Sequence, residues 1–343
     1  MKTNPHEKSY AMKIRLELRI GNLFRHVLKS IALKIAALRI TAYGICLVLL
    51  IYPTLSLAQT GFDLQLAQIG TALTGSVFTY TVRERDSLTS IGARFGIEPR
   101  LLANSNALSA SARLKPDQLL EVDNRHIVPT VINDGIVINL PQRMLFHLAQ
   151  GQLLAAYPIA AGKPSWPTPL GAFTVDRRVR DKAWIVPKSI QREMQLEGKK
   201  VLKIVPPGAN NPLGKHWMGL SIPGIGIHGT TSPQSIYHFQ SHGCIRLHPD
   251  DAADLFNAVN EGGAGIIIYQ PLLLLHTPEG KVFIEAHRDI YKKGVVAYKM
   301  ATELAEAAGI ADKIDWQKTM SVIVAHEGIA REVTLADDEE HPQ

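Results

Sequence analysis

The sequence predicts a mainly β domain, a β-sandwich with one clear helix, preceded by a small strand–helix–helix–strand (βααβ) module. Short runs of β-branched and aromatic residues, split by glycine and proline, recur from residue 134 onward. This pattern is typical of a sandwich or partial barrel and not of alternating βα units. Between residues 78 and 125, two short helical patterns lie between two strands. The chain of 343 residues, 46% of them hydrophobic, is long enough for both units.

Residues 1–58 have the composition of an export leader. Of the 37 basic and 31 acidic residues in the chain, nine and two lie in this leader, which leaves 28 and 29 for residues 59–343. The basic charge therefore belongs to the leader and does not indicate nucleic-acid binding. An apolar stretch over residues 45–51 is followed by Ser56-Leu57-Ala58, which favours a signal peptide cleaved after Ala58, with Met12 as an alternative start, over an uncleaved membrane anchor. Both alternatives place the rest of the chain outside the cytoplasm.

Cysteine usage leaves one thiol outside the leader. Cys46 lies within it, so Cys244 is the only cysteine expected in the mature chain, and no internal disulfide can form. Exported proteins usually pair their cysteines, and a single thiol in an oxidising compartment is either an intermolecular link or a reactive group. Cys244 is therefore a candidate for chemistry.

Residues 59–77 are predicted to be a linker without regular structure, and residues 78–125 to form the βααβ module. Asp86 or Ser87 can cap its first helix, and Gly96 suits the left-handed position that ends that helix. The apolar residues of the helix share one face, as expected of a helix that packs against the two strands.

Residues 134–270 form the predicted β-rich domain. Its helix begins at Pro249, carries Asp250 and Asp251 in the first turn, and ends at Gly262 or Gly263. The predicted strands are 135–140, 144–148, 153–160, 171–175, 217–222, 225–228 and 265–269. Residues 271–343 follow as a polar, partly helical packing extension with an acidic, solvated end.

The segment from residue 227 to residue 247 brings the remaining cysteine close in sequence to His228 and His242. A thiolate is the nucleophilic form of cysteine, and a free thiol with a pKa of ~8.5 holds little of it near neutral pH. A neighbouring imidazole can accept the thiol proton and later protonate a leaving amine. We assign the nucleophilic role to Cys244 and the acid–base role to His228, at the end of a predicted strand.

The residues around Cys244 fit a site that stabilises an oxyanion. Gly243 lets the backbone approach a substrate closely, so the N–H groups of Gly243 and Cys244 can face a developing negative charge. His242 is too close in sequence to be the expected base and is predicted to shape the turn or the oxyanion site. The thirteen residues from Thr230 to His242 are predicted to form a loop or lid.

Three polar residues beside the histidines and the cysteine are predicted to contact substrate. Arg246 can hold a substrate carboxylate through two hydrogen bonds, and an ion pair with Asp250 explains it equally well. Ser241 and Thr230 are the other two. A buried, inert cysteine is one competing interpretation of the cluster. A zinc site is the other, without support from a second cysteine; its ligands would be His228, His242 and Cys244 with His238 or His248.

The pattern His228-Gly229, a variable loop, and Ser241-His242-Gly243-Cys244 with Arg246 two positions on resembles the L,D-transpeptidase (YkuD-type) catalytic domain. Similar segments lie upstream at residues 162–163, 167–173 and 211–214. The resemblance implies a two-step acyl transfer. Cys244 attacks the carbonyl of the diaminopimelate at the third position of a stem tetrapeptide, D-alanine leaves, and an amine resolves the thioester. It also implies that the Gly229 carbonyl orients the His228 imidazole and that no cofactor or metal is needed.

Residues 78–125 resemble a LysM domain. The matching residues are Tyr80, Val82, Asp86, Ser87, Leu88, Ile91, Phe95, Ile97, Leu102, Asn104 or Asn106, Pro116, Gln118 and Leu119. One departure is Arg85, at a position in the turn before the first helix where the family usually has a glycine. The resemblance implies binding to the N-acetylglucosamine of glycan strands, with a structural spacer as the alternative.

Together the two resemblances imply a periplasmic enzyme whose module tethers it to its polymer and raises the local substrate concentration. The implied partner is peptidoglycan, with another stem peptide or an outer-membrane lipoprotein as the acceptor, and no nucleic acid. The alternative functions are a thiol carboxypeptidase or hydrolase of the cell wall, and a non-catalytic wall-binding protein.

Overall fold

The computed structural model describes residue 70 and residues 72–336 of the chain. The leader (1–58), most of the linker and the acidic end from Asp337 lie outside the described residues, so both alternatives for the leader stay predictions. No helix in the described part of the chain is long and apolar enough to cross a membrane.

The βααβ module is present, and the strands directly before and after it pair as a separate two-stranded sheet. The strands and helices of this region are β1 (Ala72–Thr74), β2 (Val77–Thr81), α1 (Leu88–Phe95), α2 (Pro99–Ser105), β3 (Leu119–Asp123) and β4 (His126–Val128). Strands β2 and β3 pair antiparallel within the module, and β1 pairs with β4 beside it. The predicted linker therefore contains regular structure in β1.

The first helix of the module has the predicted signals at both ends. The Ser87 side chain caps α1 by accepting a hydrogen bond from the Ser90 N–H, and Gly96 ends the helix at φ 74°. Buried residues from α1, α2 and β3, among them Ile91, Leu102 and Leu120, share one apolar core. The module therefore has a hydrophobic core of its own.

The turn before α1 forms although Arg85 replaces the usual glycine. Arg85 has φ 68°, in the left-handed region that favours glycine. The Asp86 carboxylate accepts hydrogen bonds from the Arg83 N–H at 2.8 Å and from the Tyr80 hydroxyl at 2.7 Å. These two bonds hold the turn and offset a backbone strain of about 1–3 kcal/mol.

The β-rich domain contains eleven strands in the described chain. They are β5 (Gly135–Asn139), β6 (Met144–Ala149), β7 (Gln152–Gly162), β8 (Gly171–Arg180), β9 (Trp184–Ile185), β10 (Ile204–Val205), β11 (His216–Leu220), β12 (Gly226–His228), β13 (Phe239–Ser241), β14 (Ile245–Leu247) and β15 (Ala264–Ile268). Nine of them form one sheet in the order β13-β7-β14-β12-β11-β8-β15-β5-β6, and β9 pairs separately with β10.

The domain is mainly β as predicted, but the two-sheet sandwich is not confirmed. The long strand β7 pairs with β6 along residues 152–158, then with β14 and β13 closer to its end. The strand pairings therefore run around a closed ring from β7 through β15 and back to β7. A long strand that changes partners along its length has no simple signature in the hydrophobic pattern.

The prediction of one helix in this domain was wrong, because the domain has two. Helix α4 (Pro249–Ala258) has the predicted proline start and buries Leu255 and Phe256 in the main core. Helix α3 (Lys188–Leu196) buries none of its residues. Helix α3 is mostly polar, and its apolar residues Ile190 and Met194 lie only one turn apart, too short a pattern to predict a helix from the sequence.

The C-terminal region is a folded unit and not a polar packing extension. It contains β16 (Leu272–His276), β17 (Val282–Ala286), α5 (Ala297–Ala307), α6 (Trp316–Ala325) and β18 (Ala330–Glu332), and its strands pair in the order β16-β17-β18. Apolar residues from both helices and from strands β16 and β17 form a separate core, to which Val333, just after β18, also belongs. Strands β16 and β17 are short and mainly apolar, and they were missed because a brief apolar run has no periodicity.

A buried carboxylate joins the C-terminal region to the residues around β4. Glu285 is fully buried, and its oxygens accept from His126 Nδ1 at 2.7 Å, from His287 Nε2 at 2.8 Å and from the Ile127 N–H at 2.6 Å. Burial raises the pKa of Glu285, but the two histidines more than offset this and hold it well below its usual range. His126 Nε2 lies 3.0 Å from the Gly96 carbonyl oxygen, so the His126 ring connects Glu285 to the end of α1.

Candidate active site

Two parallel strands place three of the predicted site residues on one face of the sheet. Strands β12 and β14 pair with Ile227 opposite Ile245 and His228 opposite Arg246. Paired residues project to the same face, and side chains alternate along a strand. Cys244, two residues before Arg246, therefore faces the same way as Arg246 and His228. The positive charge of Arg246 lowers the pKa of both His228 and Cys244, which is consistent with this placement.

The Cys244 thiol is half-buried and donates a hydrogen bond to the Gly224 carbonyl, with Sγ 3.7 Å from the oxygen. Burial raises the pKa of the thiol, and the Gly226 N–H and the Arg246 charge only partly oppose this. Burial disfavours the charged form of any group. The thiol is therefore protonated at neutral pH.

The His228 imidazole is buried, with 5% of its surface exposed. Its Nδ1 lies 2.6 Å from the Gly229 carbonyl oxygen. A carbonyl only accepts, so Nδ1 carries the proton and Nε2 is the basic atom. Burial and the Arg246 charge lower the pKa of His228 to about 4. The ring is therefore neutral at pH 7, and it makes the contact that the resemblance implies for Gly229.

Cys244 and His228 are both neutral at rest. The thiol bonds to Gly224, and the described residues show no hydrogen bond between Cys244 and His228. Catalytic hydrogen bonds are often long before substrate binds and tighten in the complex. The pair can pass a proton from sulfur to imidazole during attack without a preformed ion pair.

The turn before Cys244 is held by side-chain hydroxyls. Ser241 Oγ donates to the Cys244 carbonyl at 2.5 Å and accepts from the Gly243 N–H at 3.1 Å. Thr168 Oγ1 donates to the Gly243 carbonyl at 2.9 Å, and Gly243 has φ 103°. The Gly243 N–H is thus already bonded, which argues against its predicted role at an oxyanion. Ser241 is 1% exposed, and its contacts favour a role in the turn over the predicted contact with substrate.

The segment predicted as a lid is anchored in the protein. Ile236 and Tyr237 are buried, and the Arg143 guanidinium lies 3.9 Å from the centre of the Tyr237 ring. Thr230, predicted to bind substrate, is also buried, and its Oγ1 accepts from the Ser232 N–H at 3.0 Å. These contacts contradict a lid and favour a structural role for Thr230.

His242 is held by residues that the sequence did not identify. Its Nε2 is hydrogen-bonded to the Glu193 carboxylate on α3, and its ring meets the Trp166 ring edge-on with the centres 5.4 Å apart. Glu193 also forms an ion pair with Lys163 at 2.5 Å. Hydrogen bonds from Lys163 and His242 lower the pKa of Glu193. His242 therefore connects the turn to α3, which is consistent with its predicted shaping role.

Arg246 has no acidic partner among the described residues. The alternative ion pair between Arg246 and Asp250 does not form in the described structure. The Asp250 carboxylate instead lies 3.8 Å from Arg94 and 3.5 Å from His248. Burial lowers the pKa of Arg246, but its ordinary value is so high that the group stays charged. An unpaired, half-buried cation beside the thiol is suited to a carboxylate from outside the protein.

The described residues contain no group of three or more His, Cys, Asp or Glu side chains arranged to hold a metal ion. The site instead combines a thiol, a neutral imidazole and a cation around a tight turn. This combination is typical of one class of protein, the enzymes that transfer acyl groups.

Comparison with known proteins identifies the family within that class. A model described as the L,D-transpeptidase catalytic domain matches residues 133–268, and a LysM domain model matches residues 80–123. The relative named L,D-transpeptidase ErfK/SrfK from Salmonella typhimurium is 30% identical over 232 residues, which cover 64% of this chain and 72% of the relative. The relative named L,D-transpeptidase YkuD from Bacillus subtilis is 31% identical over 186 residues, which cover 54% of this chain and 96% of the relative.

A crystal structure of an Enterococcus faecium L,D-transpeptidase C442S mutant is also similar, at 21% identity and a TM-score of 0.31, over 41% of this chain and 51% of that one. At this TM-score the family assignment rests on the sequence relatives. The chain belongs to the L,D-transpeptidase family and carries a LysM domain upstream of the catalytic domain.

Proposed function

We propose that the protein is an exported L,D-transpeptidase that uses Cys244 as its nucleophile on peptidoglycan stem tetrapeptides. The observation that carries the proposal is the pairing of His228 with Arg246 on strands β12 and β14, with Cys244 directly before β14. A nucleophile, a basic nitrogen and an unpaired cation are the groups that acyl transfer from a carboxylate-bearing peptide needs.

The proposed reaction exchanges one amide for another. Sγ of Cys244 attacks the carbonyl carbon of the third stem residue, and the thiol proton moves to Nε2 of His228. The C–N bond to D-alanine breaks, His228 returns the proton to the leaving amine, and a thioester remains. An acceptor amine attacks the thioester and gives its proton to His228. The C–S bond breaks, and His228 passes that proton to the sulfur, which restores the thiol. No external energy source is required.

The proposed oxyanion donor is the Cys244 N–H, since the Gly243 N–H is already bonded to Ser241. A backbone donor aimed at a developing oxyanion contributes about 2.7–4 kcal/mol to transition-state stabilisation. Arg246 is the proposed partner of the substrate carboxylate. A water molecule in place of the acceptor amine would give a carboxypeptidase, which is the alternative activity.

We infer that the LysM domain holds the enzyme on glycan strands. The turn at residues 83–85 and the loop at residues 115–117 are exposed. Helix α1, by contrast, contacts the short 3₁₀ turn Pro233–Ser235 of the β-rich domain. The two exposed loops are therefore free to meet a polymer while α1 keeps the module on the enzyme.

Titration of the full chain with N-acetylglucosamine oligomers tests this inference. We expect saturable binding with a Kd below about 1 mM. Leu119 in the module and Leu154 in β7 are both exposed leucines, at 64% and 59%, so Leu119→Ala should weaken binding and Leu154→Ala should not. Equal binding by both variants, or none by the wild type, would favour a structural spacer.

Incubation of the purified protein with a disaccharide tetrapeptide tests the activity. A transpeptidase releases D-alanine and forms 3→3 dimers, a carboxypeptidase releases D-alanine without dimers, and a pure binder does neither. A carbapenem should add its mass to the intact protein, with no effect of EDTA. Wall fragments from a cell that overproduces the protein would then distinguish a stem-peptide acceptor from a lipoprotein. Absence of both D-alanine release and the adduct would contradict the proposal.

A further inference from the structure

The Thr168 hydroxyl fixes the peptide unit that carries the Cys244 N–H. Thr168 is 3% exposed, and its Oγ1 donates to the Gly243 carbonyl at 2.9 Å. The Gly243 carbonyl and the Cys244 N–H belong to one peptide unit, and the described chain has no cis peptide bond. In a trans peptide the C=O and N–H point in opposite directions. A carbonyl held against Thr168 therefore directs the Cys244 N–H away from Thr168.

Thr168 is in turn held by the end of β7. Its Oγ1 accepts from the Gly162 N–H at 2.9 Å. A Cβ at Gly162 would lie 2.2 Å from the Trp166 carbonyl and 2.7 Å from the Thr168 nitrogen. Only glycine lets the chain fold back closely enough at this position to bring Thr168 over the turn.

Gly162, Thr168 and Tyr291 form a hydrogen-bonded bridge, and its third residue, Tyr291, comes from the C-terminal region. Tyr291 Oη donates to the Gly162 carbonyl at 2.6 Å and accepts from the Thr168 N–H at 3.3 Å. The Tyr291 ring stacks on the Tyr269 ring with centres 5.5 Å apart, and the Tyr291 N–H donates to Tyr269 Oη at 2.8 Å. Burial raises the pKa of Tyr291, so its hydroxyl keeps its proton.

We propose that Tyr291 and Thr168 are positioning residues that align the Cys244 N–H with the oxyanion, so that the C-terminal region completes the active site. The proposal rests on the proposed function. Neither side chain needs to touch substrate, because both act through the Gly243–Cys244 peptide.

The bridge restricts rotation of the Gly243–Cys244 peptide plane, which a glycine at position 243 would otherwise allow. Gly243 has φ 103° and no Cβ to restrict the neighbouring peptide plane. Its N–H bond to Ser241 fixes the preceding peptide unit, whereas the bond to Thr168 fixes the following one, which carries the donor. A misplacement of about 1 Å in such a group can cost roughly 100-fold in rate.

Two reactions of Cys244 distinguish misalignment of the Cys244 N–H from a general loss of thiol reactivity in a variant. Acylation by a carbapenem passes through an oxyanion, whereas alkylation by iodoacetamide displaces iodide at an sp³ carbon and develops no oxyanion. Tyr291→Phe keeps the stacked ring and removes the hydroxyl, and Thr168→Val removes both side-chain hydrogen bonds. Thr168→Ser restores the hydroxyl. Tyr298→Phe is the matched control, since Tyr298 lies in the same region, 43% exposed.

We expect Tyr291→Phe to slow acylation roughly 10-fold and Thr168→Val roughly 100-fold, with alkylation unchanged within about twofold. With the tetrapeptide, kcat should fall while KM holds, and Thr168→Ser and Tyr298→Phe should react like the wild type. Unchanged acylation in Tyr291→Phe, or equal losses in acylation and alkylation, would overturn the inference while leaving the proposed function intact. A wild-type protein that no carbapenem acylates would contradict both.

Discussion

Replacing Cys244 with alanine is expected to lower D-alanine release by at least about 10⁴-fold and to abolish the carbapenem adduct. Cys244 is the only thiol among the described residues, and removing it leaves His228 without a group to activate. Released D-alanine and the intact protein mass, both measured at pH 7, report the two losses separately.

The same variant provides its own control through the LysM domain. The thiol is half-buried, so alanine should leave the melting temperature and the affinity for N-acetylglucosamine oligomers unchanged. A non-catalytic wall-binding protein would lose nothing on this substitution. D-alanine release within about tenfold of the wild-type rate would exclude Cys244 as the nucleophile.

Replacing His228 with glutamine is expected to lower kcat/KM at pH 7 by about 10²–10⁴-fold. Glutamine can fill much of the imidazole site but cannot accept the thiol proton. The remaining reaction depends on thiolate formed by solvent, so the rate of the variant should rise about tenfold per pH unit up to the raised pKa of Cys244.

The wild-type pH profile follows from the lowered pKa of His228. The imidazole must be neutral to act as a base, so activity is lost as the pH falls through its pKa of about 4. We expect kcat/KM to stay constant from pH 7 to about pH 5 and to decline below it. His147→Gln is the control, a half-buried histidine on β6 whose pKa burial also lowers. A wild-type acid limb near pH 6.5, or equal losses in the two variants, would argue against His228.

The fold was predictable where local chemistry decides the structure. Ser87 and Gly96 mark the two ends of α1, and Pro249 marks the start of α4, because caps and breakers act within one turn. Long β strands followed from their alternation or their apolar runs. The closed ring was not predictable, because it depends on which strands β7 meets, and strand pairing joins residues far apart in sequence.

Within the site, the spacing of the motif predicted which residues lie together, but it did not predict their protonation states or hydrogen-bond partners. Cys244, His228 and Arg246 share a face because two short parallel strands align them, and the Gly229 carbonyl bonds to His228 as the resemblance implied. The raised pKa of the Cys244 thiol could not be predicted, because it depends on burial in the folded protein. Ser241 and Thr230 were read as substrate contacts, although their hydroxyls bond to nearby backbone.

The residues that sequence reasoning missed reach the site from distant parts of the chain. Glu193 contacts His242 from a helix that buries none of its own residues, and Tyr291 arrives from a region that carried no recognisable motif. Thr168 lies in the segment 167–173 that resembles the family, but the sequence of that segment does not show that the Thr168 hydroxyl donates to the Gly243 carbonyl.

The carboxylate of Glu285 also bears on how far the chain can be shortened. A protein ending at Tyr269 would keep His126, Ile127 and Gln142 but lose the acceptor that all three share. A hydrogen bond to a charged group contributes about 1.5–3 kcal/mol, so the loss of all three approaches the 5–15 kcal/mol by which ordinary domains are stable. The central and C-terminal regions should therefore melt in a single cooperative transition, and a trimmed enzyme would be a damaged protein and not a minimal one.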